Sequence, residues 1–474
     1  MLKILVIHEE SENENETDRE IRKINENLGR LQRDSQSLDN PEALDALERD
    51  ILEQTNHLAA ILLQQQLQSL LDSEENKAKE SVIIAAWPGK MKSEGYQNVA
   101  IRTASGHEIT LRGRYYRRNC DRKNGKRHKG VYAGLLSLGI HERTTPRLAA
   151  LISGWAALLC SFNEVCQVLA EQGLPIGEKV VRRIAYGYAE RARIFQQTQQ
   201  LPPGETVKGR RVVVSIDGGR LRVRENKKGS KTAKGRHRYH GTWREPKLFI
   251  VYVVNEKGKM EQSFAPLIDG GLQGADALFQ LLFGYLQSLD IQAAEQVLFV
   301  ADGAHWIWNR VHQLTGKLGL KPEQVQELID FYHAVEHLHQ IATLRRGWSA
   351  KQRRTWVKKQ RRLLAQGQID SVLDALQTVY QEQKSQAIAT ELYYFIGNRQ
   401  RIDYLKVKSR HLPIGSGAVE SAIRRVVNLR LKGASIFWHE ANAEKILMLR
   451  AFFKTGRWNQ MKSMACSPFA VAYE

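Results

Sequence analysis

The chain has 474 residues and a mass of 54.1 kDa, which leaves room for about three domains of roughly 150 residues each. Its 42% hydrophobic and 26% charged residues are typical of a soluble globular protein, and this composition excludes disorder of the whole chain. The 71 Lys and Arg residues against 51 Asp and Glu give a net charge of +20, which favours a polyanionic partner.

The sequence predicts neither a membrane helix nor a secretory signal. The longest uncharged apolar run, Leu148 to Cys160, has 13 residues, whereas a membrane helix needs about 20. The opening MLKILVIH passes directly into an acidic stretch without a cleavage site. The four cysteines form no CxxC pair. We therefore expect a cytoplasmic protein without a membrane partner.

Residues 1–80 hold 9 basic and 19 acidic side chains and predict an acidic helical hairpin. Apolar residues from Ile21 to Leu38 recur at helical spacing, Pro41 interrupts the pattern, and a second helical run continues to Leu71. The hairpin either packs against the rest of the chain or mediates self-association. For the whole protein we expect a homo-oligomer, a dimer or higher.

Residues 81–200 predict a DNA-binding region. Alternation over 96–118 favours a small β element, and residues 119–130 predict a basic turn. Three helical stretches follow, at 147–160, 161–172 and 178–193. The last two resemble a helix-turn-helix, whose second helix carries Lys179, Arg182 and Arg183. The alternative is a helical linker whose basic residues form a solvated face.

The pattern changes from helix to strand after Gly204. Strands are predicted at 211–217, 246–254, 260–268 and 296–302, helices at 274–289 and 304–318, and either a strand or a helix start at 325–333. This order predicts an α/β domain with a mixed sheet and helices on its faces. Residues 334–404 read as helix throughout, so we expect a sheet domain at 205–333 that a helical insertion at 334–412 separates from its last part at 413–474.

Two of the predicted strands end in an aspartate followed by glycine, at Asp217-Gly218-Gly219 and at Asp302-Gly303. Ligands gather beyond the carboxyl ends of strands in α/β sheets, and glycine there permits another backbone to approach closely. The two aspartates are therefore candidate metal ligands. Aspartate is also a common turn residue, which is the alternative interpretation.

A third carboxylate, Glu420, follows a constrained turn formed by Pro413, Gly415 and Gly417, where Ser416 can cap the helix. Three carboxylates on rigid elements can hold two Mg²⁺ ions for phosphodiester displacement. The alternative for Glu420 is an ion pair with Arg424 on a solvated helix.

Together these residues resemble the signature blocks of a bacterial insertion-sequence transposase of the DDE type, in the Mutator-like Kra group. The blocks are VSIDGGR (214–220), VADGAHWIW, DFYHAVEHL (330–338) and PIGSGAVESAIRRVVNLRLKGASIFW. The resemblance runs from about residue 205 to 460. It implies an RNase H-like core in which Asp217, Asp302 and Glu420 form the metal-binding triad, and in which Asp330 and His333 open the helical insertion.

The resemblance also implies a function. The protein would bind the double-stranded ends of its own insertion sequence, hydrolyse a phosphodiester bond to free a 3′-OH, and join that end to target DNA. Mg²⁺ would be the cofactor, with Mn²⁺ able to substitute, and the protein would be associated with the bacterial nucleoid. Relatives often carry paired cysteines upstream, but here only Cys120 lies in the basic turn, so we expect no zinc there.

Two basic clusters fit this interpretation. Residues 205–247 contain 14 Lys or Arg and 4 acidic residues, and residues 345–362 contain 9 Lys or Arg and no acidic residue. Aromatic residues lie in or beside both clusters, and their rings can stack on unpaired bases. Each cluster can instead be an ordinary solvated face. The candidate DNA contacts are Lys179, Arg182, Arg183, Arg236, Arg238, His305, Arg424, Arg425 and Lys432.

Two other classes of protein compete. The segment HAVEH (333–337) fits the inverted zinc-protease motif, in which His333 and His337 bind zinc and Glu336 acts as the base. This class leaves the two aspartates at strand ends unexplained. The other alternative is a DNA-binding regulator derived from a transposase. If Glu420 is not the third ligand, Glu440 and Glu444 are the nearest downstream candidates.

Overall fold

The computed structural model describes residues 16–34, 40–118, 130–198, 205–233 and 235–467. The chain divides into two compact units, residues 1–195 with 462–474 and residues 196–461. The predicted basic turn with Cys120 lies outside the described residues. None of the described helices combines the length and the apolar composition needed to cross a bilayer.

The first unit is mostly helical and contains one two-stranded sheet. Its elements are α1 (Glu16–Asp34), α2 (Pro41–Asp72), α3 (Glu74–Ala85), β1 (Met91–Arg102), β2 (Glu108–Arg118), α4 (Ala133–Ser137), α5 (Pro146–Leu158), α6 (Phe162–Glu171) and α7 (Glu178–Thr198). The predicted hairpin corresponds to α1 and α2, which pack through Ile21, Ile24 and Ile61. Apolar residues make up the buried part of the described hairpin.

Helix α2 also lies along the antiparallel β1–β2 pair. The side chains of Gln64 and Gln68 accept hydrogen bonds at 2.8 Å from the backbone N–H groups of Thr110 and Arg112, so they cover the free edge of β2. Apolar residues of α2, β1, β2 and α4 form the core beneath: Ala60, Leu71, Val99, Ile101, Ile109, Leu111, Leu135 and Ile140.

The second unit is built on a five-stranded mixed sheet and a separate hairpin. Its strands are β3 (Arg211–Gly218), β4 (Leu221–Asn226), β5 (Tyr239–Arg244), β6 (Lys247–Val254), β7 (Leu267–Gly271), β8 (Gln296–Ala301) and β9 (Val325–Ile329). The sheet order is β7-β6-β3-β8-β9, with β6 antiparallel to both of its neighbours and the β3–β8 and β8–β9 pairs parallel. The mixed α/β fold predicted from sequence is confirmed.

The helices of the second unit follow the strands and then form the insertion. They are α8 (Ala275–Ser288), α9 (His305–Lys317), α10 (Phe331–Leu344), α11 (Ala350–Ala365), α12 (Ile369–Glu382), α13 (Gln386–Gly397), α14 (Tyr404–Ser409), α15 (Gly417–Ile423), α16 (Leu429–Leu431), α17 (Glu440–Lys454) and α18 (Trp458–Ala465), the last of which ends in the first unit. A π-helical turn, Arg424–Asn428, joins α15 to α16.

One predicted strand needs correction. The third strand is β7, not 260–268, because Pro266 has no N–H for the ladder and pairing begins after it. Residues 325–333 contain both a strand, β9, and the start of α10. Residues 334–404 are helical, as predicted, and divide into several helices, with Gly347 and Gly367 at positive φ angles at two of the breaks.

Candidate active site

Two aspartates lie at the carboxyl ends of adjacent parallel strands. Asp217 is the penultimate residue of β3, and Asp302 directly follows β8. The two strands pair in parallel as far as Ile216 opposite Ala301, so the next residue on each strand is one of the aspartates. Both side chains therefore originate at the sheet edge where α/β proteins bind their ligands.

Local hydrogen bonds orient both carboxylates. Oδ1 of Asp217 accepts from the N–H of Gly218 at 2.6 Å, and Oδ1 of Asp302 accepts from the N–H of Ala304 at 3.0 Å. The indole N–H of Trp308, on the first turn of α9, donates to the carbonyl of Asp302 at 2.7 Å. The strand end and the following helix thus hold Asp302 at two points.

The glycines beside the aspartates accommodate side chains, not the backbone that we expected. A Cβ at position 303 would overlap Cε2 of the Tyr394 ring, and a Cβ at position 218 would overlap the carboxylate of Glu245. Tyr394 belongs to α13 of the insertion. The insertion therefore packs directly against the loop that carries Asp302.

Asp217 is electrostatically coupled to the other two predicted ligands. The pKa of Asp217 is raised to about 6, first by burial and then by the negative charges of Asp302 and Glu420. The hydrogen bond from Gly218 and the imidazole of His333 act in the opposite direction. Asp302, Glu420 and His333 are thus all close enough to Asp217 to shift its protonation equilibrium.

Asp330 links the insertion to the turn before Glu420. It is 2% exposed, and its Oδ1 caps α10 by accepting from the N–H of His333 at 2.7 Å. Its Oδ2 accepts from the N–H of Ser416, while the N–H of Phe331 donates to the carbonyl of Ile414 at 3.0 Å. We call these contacts the Asp330 clamp. The clamp fixes the turn from which the Glu420 helix starts.

The clamp explains a correction at Ser416. This residue occupies the N-cap position of α15, but its side chain makes no capping bond; its backbone is not in the extended conformation usual for a capping residue, and its N–H donates to Asp330. Gly415 is needed beside it, since a Cβ there would lie 2.9 Å from Cε2 of the Tyr332 ring. Glu420 then lies on an exposed face of α15, and among the described residues no ion pair joins it to Arg424.

The other two downstream candidates have different partners. Glu440 lies 3.4 Å from Nε of Arg244, and Oε1 of Glu444 accepts from the N–H of Leu272 at 2.6 Å. Neither residue is among the main causes of the raised pKa of Asp217, whereas the charge of Glu420 is.

The donor set of the site suits a hard divalent cation, because it consists of carboxylate oxygens whose charges repel one another. The geometry is looser than a complete ligand cage. Within the part of the chain that the structure describes, no three His, Cys, Asp or Glu side chains are grouped closely enough to hold a metal ion. Glu420 is the exposed member, on a seven-residue helix, and its side chain would have to turn toward the two aspartates.

The two histidines of HAVEH contact each other edge to face, at 5.0 Å between ring centroids, and each also has a carboxylate partner. Nδ1 of His337 lies 2.6 Å from Oε2 of Glu391, and its ring stacks on Tyr394 at 3.7 Å between centroids. His333 contacts Glu336 at 3.4 Å on its own helix. Among the described residues, the two histidines and the carboxylates beside them do not form a group of three ligands that could hold a metal ion, and Glu336 interacts with His333.

The candidate DNA contacts of the first unit mostly face acidic residues. Arg182 pairs with Glu178 one turn earlier on α7, and Nε of Arg183 lies 3.1 Å from Oε2 of Glu142. Lys179 is exposed. Two of the three cations are therefore partly neutralised within their own unit, and their role in DNA binding stays a prediction.

The candidates of the second unit lie at the start of α9, in the connection between β4 and β5, and in the segment after Glu420. His305 begins α9, three residues after Asp302, and is exposed. Four other cations are exposed: Arg236, Arg238, Arg424 and Lys432. Arg425 is half-buried, and its Nε lies 3.4 Å from the carbonyl of Ser421.

Two residues near the site were missed from the sequence. Burial raises the pKa of Tyr394, and the charges of Asp302 and Asp330 raise it further, so its hydroxyl lies near both carboxylates. Arg450 is 2% exposed and donates at 2.9 Å to the carbonyl of Val426 in the π-helical turn after Glu420. No local pattern indicates either residue, because each acts through contacts remote in sequence.

Comparisons with known proteins add no family to this description. A scan against protein-family models gave no match to the chain, and a search of curated proteins gave none either. The resemblance to insertion-sequence transposases therefore rests on the motifs themselves.

Proposed function

We propose that the protein is a metal-dependent DNA transposase of the DDE type. The observation that carries the proposal is the position of Asp217 and Asp302 at the carboxyl ends of two adjacent parallel strands. The charges of Asp302 and Glu420, which raise the pKa of Asp217, support it. An aspartate that served only as a turn residue would not need other carboxylates near it. Carboxylates that repel one another in one site are the arrangement that a bound cation stabilises.

The sheet supports an RNase H-like core for this proposal. In chain order, the second strand of the sheet, β6, pairs antiparallel with the first and third, and the first, fourth and fifth run parallel. The two aspartates follow the first and fourth strands, which are adjacent in the sheet. The helices α10 to α14 lie between the last strand and Glu420, as expected of an insertion.

Asp217, Asp302 and Glu420 would hold two Mg²⁺ ions, with Mn²⁺ able to substitute and no zinc required. When bound, such ions activate an attacking oxygen and stabilise the leaving oxygen of a phosphodiester. The Asp330 clamp would hold the Glu420 helix, and the exposed cations beside the site would bind the DNA backbone.

The proposed reaction has two displacements at phosphorus. In the first, water attacks the phosphodiester at the end of the element, and the bond to the 3′ oxygen breaks to leave a free 3′-OH. In the second, this 3′-OH attacks a phosphodiester of the target and displaces the target's own 3′ oxygen. The partners are double-stranded element ends and target DNA. We further propose that the protein is a homo-oligomer, because two element ends must be joined, and that it is associated with the nucleoid, where its DNA partners are.

The proposal is tested with labelled duplexes that carry the DNA flanking the gene. We expect cleavage in Mg²⁺ or Mn²⁺ that falls to background in Asp302→Ala, while binding in chelator persists because the basic surface is unchanged. Asp374→Ala is the matched control, since Asp374 is an exposed aspartate on α12. Equal cleavage by the Asp302→Ala variant and the control would refute the proposal. Binding without cleavage by the wild type would favour the regulator instead.

A further inference from the structure

The β4–β5 hairpin, which the sequence patterns did not predict, carries aromatic rings and arginines on one face. In its register Arg222 lies opposite Trp243, Arg224 opposite Gly241, and Asn226 opposite Tyr239. Residues directly opposite each other in an antiparallel pair point to the same side, and so do alternate residues along a strand. These side chains therefore share one face, while Leu221 and Val223 on the other face are buried in the core.

Phe437 completes this face from a distant part of the chain. Trp438 exchanges backbone hydrogen bonds with β4, to Arg222 at 3.0 Å and from Arg224 at 2.8 Å, so the segment after the Glu420 block lies along the hairpin. The Phe437 ring then covers Gly241, where a Cβ would lie 2.5 Å from Cε1 of the ring. The glycine is therefore required for this packing.

The result is a row of three aromatic rings with one guanidinium group between the first two, which we call the aromatic ladder: Trp243, Arg222, Phe437 and Tyr239. The guanidinium carbon of Arg222 lies 5.6 Å from the Trp243 centroid and 4.7 Å from the Phe437 centroid. Tyr239 lies 5.4 Å from Phe437, centroid to centroid. These contacts hold the rings in place before any ligand binds.

The two ends of the ladder are open to solvent. Trp243 is 53% exposed and Tyr239 is 44% exposed, which is unusual for large aromatic side chains that are otherwise fixed. The hairpin around them, residues 220–244, contains 10 Lys or Arg and one acidic residue. A fixed aromatic surface in a strongly cationic setting favours a ligand that has both flat rings and negative charge.

We propose that the aromatic ladder binds unpaired bases of single-stranded DNA. Bases stack on protein aromatic rings whatever their sequence, because every base has a flat π face, and the neighbouring cations bind the phosphates. Duplex DNA keeps its bases stacked inside, so it can use the cations but not the rings. The partner is therefore a DNA segment with separated strands.

The aromatic ladder lies close to Asp217 along the chain. Its biological role therefore rests on the proposed function, to which it adds a binding surface for single-stranded DNA. Arg222 follows Asp217 by five residues, so their Cα atoms lie within about 18 Å of each other even in a fully extended chain. Arg220, between them, also stacks on Trp243, at 5.6 Å from the ring centroid. A strand freed at the carboxylates would have the ladder beside it.

The test compares two fluorescent probes in chelator, a blunt duplex and the same duplex with a single-stranded run of thymines. We expect Trp243→Ala to weaken binding of the tailed probe about tenfold and of the blunt probe less than twofold, with the salt dependence of both unchanged because no charge is lost. Tyr393→Ala is the matched control, since Tyr393 is a 63% exposed tyrosine on α13. Trp243→Phe should keep most of the affinity for the tail.

Equal losses for the two probes, or no loss for the tailed probe, would overturn the inference. So would a probe with an RNA tail that binds tenfold more tightly than the DNA tail. A tail that contains 2-aminopurine gives a second measurement, made on the wild type: its fluorescence should change on binding, and an unchanged signal would also contradict base stacking. Because no step needs metal or cleavage, this result stands apart from the cleavage assay of the proposed function.

Discussion

The first two carboxylates of the candidate site and the third are positioned in different ways. Asp217 and Asp302 extend from adjacent strands, so the sheet alone places them. Glu420 lies on a short helix whose first turn is held by Asp330, 90 positions earlier in the chain. The site thus has a rigid part, Asp217 and Asp302 on the sheet, and a second part, Glu420, whose position depends on the buried side chain of Asp330. Substitutions in the two parts should affect DNA cleavage differently.

The largest effect is expected from the carboxylates themselves. Asp217→Asn and Glu420→Gln should each lower the rate of DNA cleavage on the order of 10³-fold or more, because a lost ligand removes several kcal/mol of charge stabilisation. End-labelled duplexes measure the rates, and Glu440→Gln is the matched control. Wild-type cleavage by a folded Glu420→Gln variant would show that the third carboxylate is another residue.

The next largest effect is expected from Asp330, which we propose positions the Glu420 carboxylate without binding metal itself. Asp330→Ala removes both acceptors of the Asp330 clamp and should lower cleavage by about 10- to 100-fold, because a small displacement of the Glu420 helix misplaces its carboxylate. The KM for DNA should change little. Asp330→Asn keeps one acceptor and should be intermediate. If Asp330→Ala were as inactive as Asp217→Asn and had lost metal binding entirely, Asp330 would be a ligand rather than a positioning residue.

A smaller effect concerns pH. Folding raises the pKa of Asp217 to about 6, so the metal-free protein is stabilised by the protonated carboxyl at low pH, and this contribution is lost as pH rises through 6. In chelator, Asp217→Asn should flatten this dependence and be more stable at neutral pH by up to about 2–3 kcal/mol. Thermal unfolding followed across this pH range measures it. A slope that survives the substitution would assign the effect to another group.

The smallest effect compares the two predicted groups of DNA-binding arginines. Arg236→Ala with Arg238→Ala should reduce the slope of log affinity against log salt by about two, since each exposed cation releases roughly one counterion. Arg182→Ala with Arg183→Ala should change it less, because both side chains already face glutamates. DNA-binding assays over a series of salt concentrations measure both slopes. A larger reduction of the slope by the Arg182 and Arg183 substitutions would favour the helix-turn-helix as the main DNA-binding element.

Much of the sheet that carries Asp217 and Asp302 could be predicted, because strands are indicated by local sequence patterns. Two apolar runs predicted β3 and β8, and the aspartates at their ends predicted the ligand-binding edge of the sheet. The β4–β5 hairpin was not predicted from the sequence. Strand β4 has two buried apolar residues, Leu221 and Val223, and this alternation is too short to be recognised among the surrounding charged residues. The Asp330 clamp and Tyr394 could not be found this way, because each contact joins residues far apart in sequence, and only folding brings them together.

The central claim is that Asp217, Asp302 and Glu420 act as one metal site. Mn²⁺ binding, followed by electron paramagnetic resonance at neutral pH, tests it without DNA or catalysis. We expect the wild type to bind up to two ions, and each of Asp217→Asn, Asp302→Asn and Glu420→Gln to lose affinity, while Asp374→Asn binds like the wild type. Wild-type Mn²⁺ binding by all three variants would contradict the account.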